Sequence, residues 1–176
     1  ADGVHVACAH SAEALRYAAD HVREGAARVE RPLDEDFDFC ASILGAIGSD
    51  AAAAKEAARV AAAFYISSMS PEVVERHGIP FGEVLPVIEA FGRGDVDGAL
   101  ALVPPEVGER LSLAGTPEEW ITRIGRDFRP HGYNHIAVGL ADPYLVQSWS
   151  GQPIAGVPSL PEQLQLIHDE VLPAFR

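Results

Sequence analysis

Residues 37–47 read Phe37-Asp38-Phe39-Cys40-Ala41-Ser42-Ile43-Leu44-Gly45-Ala46-Ile47. The second half is continuously apolar, the pattern of a strand buried on both faces, and parallel sheets are the sheets that bury both. Outward from this strand the chain alternates. On its N-terminal side, the short β-rich run at residues 3–9 is followed by Ser11, an N-cap, and by Leu15, Ala18, Ala19, Val22, Ala26 and Val29, spaced for one face of a helix. On its C-terminal side, Ser49 or Asp50 caps a second helix, with Ala54, Ala57, Ala58, Ala61, Phe64 and Tyr65 on one stripe. Strand, helix, strand, helix predicts an α/β fold with parallel strands joined by right-handed crossovers.

Residues 70–113 interrupt the rhythm. Pro71, Gly78, Pro80, Pro86, Gly92, Gly94, Gly98, Pro104 and Pro105 punctuate short helical pieces, the last of them at residues 106–113, so this stretch reads as a helical insertion within a single domain spanning residues 1–176. Thr116-Pro117-Glu118-Glu119 then starts a helix. Thr caps it, Pro takes the first helical position, and Glu119 can close a capping box. That helix is expected to run to about Phe128, and residues 134–140 follow as a third strand. Residues 142–158 read as a surface excursion, and Ser159 with Glu162 opens a last amphipathic helix.

Composition narrows the function. Thirteen Lys plus Arg against 26 Asp plus Glu leave a net charge of −13, which argues against a phosphate-tracking nucleic-acid surface. No apolar run reaches the ~20 residues that span a bilayer, so a soluble cytoplasmic protein without a membrane partner is the expectation. Cys8 and Cys40 have no CxxC partner and read as buried free thiols. The chain begins in a strand, with no basic leader, and reads as cut inside a larger domain. No Gly-x-Gly-x-x-Gly, P-loop or Gly-x-Ser-x-Gly is present.

Five phrases in order carry a resemblance: Ala1-Asp2-Gly3-Val4, Arg23-Glu24-Gly25-Ala26-Ala27, residues 70–79 (Ser-Pro-Glu-Val-Val-Glu-Arg-His-Gly-Ile), residues 113–119 (Leu-Ala-Gly-Thr-Pro-Glu-Glu) and the end, residues 170–176. Together they resemble the C-terminal half of the luciferase-like oxidoreductases, and within them the F420-dependent methylene-tetrahydromethanopterin reductase branch. The resemblance implies a (β/α)8 TIM-type barrel of which this chain supplies about the last three parallel strands, with the helical insertion before the final one. It implies an enzyme that moves a hydride between coenzyme F420, or alternatively the flavin FMN, and a small organic substrate. It also implies that this chain alone is an incomplete catalyst. One departure stands out: where the reductases resemble a short Gly-Ser-Pro-type turn, Gly139-Leu140-Ala141-Asp142-Pro143 opens into the long segment 144–158.

Barrel geometry gathers functional groups at the C-terminal ends of strands. There stand His10 and Ser11, beside a helix N-terminus whose free N–H groups suit a phosphate or carboxylate of the cofactor; the alternative is an N-cap serine and a wet loop histidine. Gly45 and Gly48 end the second strand, small enough to admit a ring or simply to permit tight helix packing. Arg110 is a candidate for an anionic substrate group, with an ordinary salt bridge as the alternative. Gly139 and Asp142 end the last strand as further substrate-side candidates, Asp142 alternatively as a turn residue before Pro143. His131 and His135 are four apart, but Pro130 and Gly132 preclude the helix that would align them, so no metal is expected. His5, in mid-strand, reads as a core histidine. Three parallel strands leave two open edges, which predicts a homo-oligomer, a complementary N-terminal half, or a catalytically inert half-barrel that acts as an association module.

Overall fold

A computed structural model of the chain describes residues 2–7, 10–31, 33–34 and 36–176. The reading of Cys8 as a free thiol, and the end of the first predicted strand at Ala9, therefore lie outside the described residues. Cys40 is a buried free thiol.

The central strand, β2 (Asp38–Ile47), is buried along its length apart from Asp38 and the half-buried Ser42. Three strands lie against it, all parallel. β1 (Gly3–Val6) pairs with Asp38–Ala41, and β4 (His135–Leu140) pairs with Cys40–Gly45. Between them in sequence comes β3 (Ser112–Gly115), which pairs with Leu44–Ile47. Cys40 and Ala41 have partners in both β1 and β4, and Leu44 and Gly45 in both β3 and β4. Thus β1 and β3 share one edge of β2, end to end, and β4 takes the other. The sheet has four strands where the sequence predicts three. The extra one, β3, begins inside the predicted insertion; four residues are too few to show alternation, and what makes them a strand is the half-edge of β2 that β1 leaves unpaired.

The helices follow their local signals. α1 (Ala12–Arg28) is capped by Ser11, whose Oγ accepts from the Ala14 N–H at 3.2 Å. α2 (Ala51–Ile66) is capped by Asp50, and its alanines let it lie close against β2, β3 and the insertion. The insertion folds as α3 (Pro71–Arg76), α4 (Phe81–Gly92), α5 (Val96–Leu102) and α6 (Pro105–Arg110). α7 (Pro117–Arg123) carries the full capping box: Glu119 N–H to Thr116 Oγ1 at 3.3 Å, Thr116 N–H to Glu119 Oε2 at 2.8 Å. It continues as a π-helical turn to Phe128 and ends at the left-handed Gly132. The predicted surface excursion holds a helix, α8 (Pro143–Ser150), with Asp142 as its N-cap and Val146 buried. The prolines and glycines farther along, at residues 151–158, hide that Asp-Pro start in the sequence. α9 (Leu160–Leu166) closes the chain, prolonged by a π-helical turn.

Two apolar layers result, one on each face of β2. Phe39, Ala41, Ile43 and Ile47 share a core with Leu15 and Ala19 of α1, Trp120 of α7, Phe128 and Tyr133. Leu44 and Ala46 join α2 and the insertion. On this second face, toward the strand N-termini, no helix among the described residues covers the sheet: His5, Asp38, His135 and Gly139 are exposed. His5 is therefore not the core histidine that its mid-strand position predicts; it stands on an open sheet face, laterally aligned with Cys40 and His135.

Candidate functional site

The C-terminal ends of the strands carry two polar clusters, built on different elements. The first follows β1. Only 2% of His10 is exposed, and Ser11 is fully buried, so the wet-loop reading of His10 does not describe its place. Its Nδ1 accepts the Leu44 N–H of β2 at 3.3 Å, the His77 ring stacks at 5.9 Å, and Tyr65 of α2 meets it edge-on at 5.3 Å. His77, at the end of α3, is itself buried, with its Nδ1 3.0 Å from Ser11 Oγ. That oxygen also accepts from the Ala14 N–H, and it can donate to or accept from His77 according to the tautomer of that ring. Burial, reinforced by His77 and by Arg123, brings His10 down to about 3. Burial and then Arg76 bring His77 down to about 4, against the pull of Glu13. Both imidazoles are neutral at pH 7.

Arg110 and Arg123 hold this cluster to its surroundings. Arg110 pairs with Glu13 at 3.1 Å and donates to the carbonyls of His77 and Gly78. Its guanidinium is taken by the chain's own acceptors. Arg123 donates to the carbonyls of Glu109, Arg110, Ser112 and His10, joining α6, β3 and the turn after β1, and meets Asp127 at 3.3 Å. A groove of about 600 Å³ lies alongside, between α1, α6 and α7. Its cations are matched internally: Lys55 with Glu119 at 2.9 Å, Arg126 with Asp127 at 2.6 Å, Arg110 with Glu13.

The second cluster lies at the ends of β2 and β4 and centres on Gln163 of α9, which is fully buried. Its Oε1 accepts the Ile47 N–H at 3.1 Å, and its Nε2 donates to the carbonyls of Ala141 and Pro158. Gly48 and Asp142 flank this clamp in sequence. Gly48 donates its N–H to Gly115, and a Cβ there would meet Pro158 at 2.9 Å. Gly45 lies on the helix-covered face, where a Cβ would meet Val138 at 2.6 Å and Trp120 at 3.1 Å. The space left by either glycine is filled by the chain itself. Gly139 faces the open side of the sheet and would accept a Cβ without a close contact.

His10, Ser11 and Arg110 are thus brought together, Gly45, Gly48 and Asp142 gather around the end of β2, and Gly139 stands on the open face. His77, Tyr65, Arg123 and Gln163 escape the sequence reading. Gln163 had a signal, a polar residue on the buried stripe of the last helix; Arg123 had a weaker one, one turn after the buried Trp120. Nothing local marks His77. Among the described residues, no group of three or more His, Cys, Asp or Glu side chains is placed to hold a metal ion, and no helix is long and apolar enough to cross a membrane.

A family model described as luciferase-like monooxygenase matches residues 1–135. The 5,10-methylenetetrahydromethanopterin reductase of Methanopyrus kandleri is 30% identical over 176 residues, 100% of this chain and 46% of that protein. The reductase of the same name from Archaeoglobus fulgidus is 29% identical, over 99% of this chain and 49% of its own. Among solved structures, the coenzyme F420 dependent tetrahydromethanopterin reductase from Methanopyrus kandleri superposes with a TM-score of 0.81 at 27% identity, again over 100% of this chain and 46% of the other. An F420-dependent secondary alcohol dehydrogenase, at 20% identity and a TM-score of 0.59, covers 99% of this chain and 43% of its own, and shares the fold. The chain spans about half the length of the curated relatives it matches.

Proposed function

Because this chain belongs to the luciferase-like monooxygenase family, we propose that it is part of an oxidoreductase that transfers a hydride between coenzyme F420, or FMN in its place, and a small organic substrate. The observation that carries this reading is the superposition of the whole chain, at a TM-score of 0.81, on an F420 dependent reductase. In such an enzyme the coenzyme supplies the hydride chemistry and the protein supplies position and exclusion of water.

The described residues do not by themselves enclose a site for a three-ring coenzyme. Trp120, Val138 and Pro158 fill the space beside Gly45 and Gly48, and Arg110 is occupied by Glu13 and two carbonyls. No step of the reaction is therefore assigned to a side chain of this segment. Its part in the enzyme is to supply three neighbouring barrel strands, β1, β2 and β4, and the rim above them. Titrating the intact gene product with oxidised and reduced F420, and separately with FMN, tests the reading by absorbance. Saturable spectral change with the deazaflavin is expected; no binding of either coenzyme would overturn it.

A second reading is favoured by the outer edges of β1 and β4, which pair with no other strand among the described residues. In it the chain, taken alone, is an inert half-barrel that associates through those edges with another copy or with a complementary half.

A further inference from the structure

The geometry points to His10 as a proton-operated latch: while neutral, its ring closes the seam between β1 and β3 on the edge of β2, and when protonated it lets go of the Leu44 N–H. This inference is independent of the oxidoreductase reading and concerns the edge of the sheet, whatever reaction the mouth performs.

The seam arises because two short strands share one edge. β1 serves Asp38–Ala41 and β3 serves Leu44–Ile47, and at their junction the Leu44 N–H goes to His10 Nδ1 at 3.3 Å. That bond fixes the tautomer. Nδ1 must carry the lone pair, so the ring proton sits on Nε2, which is buried with no hydrogen-bond partner among the described residues. Protonation would place a second N–H directly against the Leu44 N–H and leave a cation whose other N–H is also unpaired. Two donors facing each other in a dry site repel.

The groups around the ring point the same way. Tyr65 of α2 offers a ring edge, His77 after α3 is a second imidazole, and Arg123 of α7 donates to the His10 carbonyl. Arg76 of α3 lies beyond His77. Glu13 of α1 is paired to Arg110 of α6, and Asp127, in the turn that continues α7, is paired to Arg123 and Arg126. His77 is the less sensitive of the two histidines, because the Ser11 hydroxyl it meets can turn from donor to acceptor. His10 faces a backbone N–H, which cannot.

The sign follows. His10 is lowered on folding, so its contribution is present above the pH at which a free imidazole titrates and is lost as pH falls toward the folded value. Between pH 7 and pH 5, a ring at about 3 in the closed state and 6.5 when released lowers the closed-to-open ratio roughly 25-fold. Amide hydrogen exchange at Leu44 in the intact gene product, corrected for the intrinsic pH dependence, reads this directly. Protection in the wild type is expected to fall about 25-fold from pH 7 to pH 5. In His10→Asn, which keeps an acceptor oxygen near the place of Nδ1 and does not titrate, it is expected to stay level. Unchanged protection in the wild type, or an equal fall in the variant, would overturn the latch. Should the variant not fold, nitrogen NMR of the wild-type ring decides: a neutral Nε2–H tautomer persisting in folded protein at pH 5 supports it, and a ring titrating near 6.5 in the folded state refutes it.

Discussion

The Arg123 guanidinium reaches four backbone carbonyls from two separate pieces of chain, residues 109–112 and His10, with 16% of its side chain exposed. Ser112 and His10 are buried, so their carbonyls would lose a donor in a desolvated place, and Asp127, nearly as buried, would keep only Arg126. Arg123→Met is accordingly expected to cost about 3–5 kcal/mol, the range for removing one partner of a buried ionic group, as a lower urea midpoint of the intact gene product. Arg123→Lys is expected to recover little, since an ammonium has three donors on one atom and no planar fork. A loss below about 1 kcal/mol in the methionine variant would mean that the carbonyls find other donors. At this scale the sequence is readable where chemistry is local: Ser11 is an N-cap because it precedes an apolar stripe. The burial of His10 is not local. It depends on the free N–H of Leu44, which exists only because two strands divide one edge.

The elements divide along the same line. Thr116-Pro117-Glu118-Glu119 announces α7 because all its signals lie within one turn, and the apolar run at 43–47 announces a strand covered on both sides. β3 is silent in sequence, since its four residues become a strand only by pairing with β2. α8 had its Asp-Pro start, outweighed in the reading by the turn residues after it. Gln163 ties the C-terminal ends of β2 and β4 through a single side chain. Gln163→Leu keeps the volume near that of the amide and removes both functions, leaving the Ile47 N–H buried without an acceptor. A loss of about 1–3 kcal/mol is expected, with faster amide exchange at Ile47 than at Phe39 near the other end of the strand. Equal exchange at both ends would show that the clamp does not hold this end of the sheet in particular.

For the whole molecule, β1, β2 and β4 are three neighbouring parallel strands, helices cover one face throughout, and the other face is open toward the strand N-termini with His5, Asp38 and His135 exposed. A sheet face open toward the strand N-termini, with outer edges of β1 and β4 that pair with no other strand among the described residues, is an arc that needs further strands to close. The chain's match to about half of its relatives' length accords with that need. This arc is expected to be closed by further strands of its own polypeptide. A crystal structure of the intact gene product is the test. The expected result is a closed barrel in which the outer edges of β1 and β4 each pair in parallel with a strand from elsewhere in the same polypeptide. An edge left open, paired antiparallel, or paired with a second copy would contradict it.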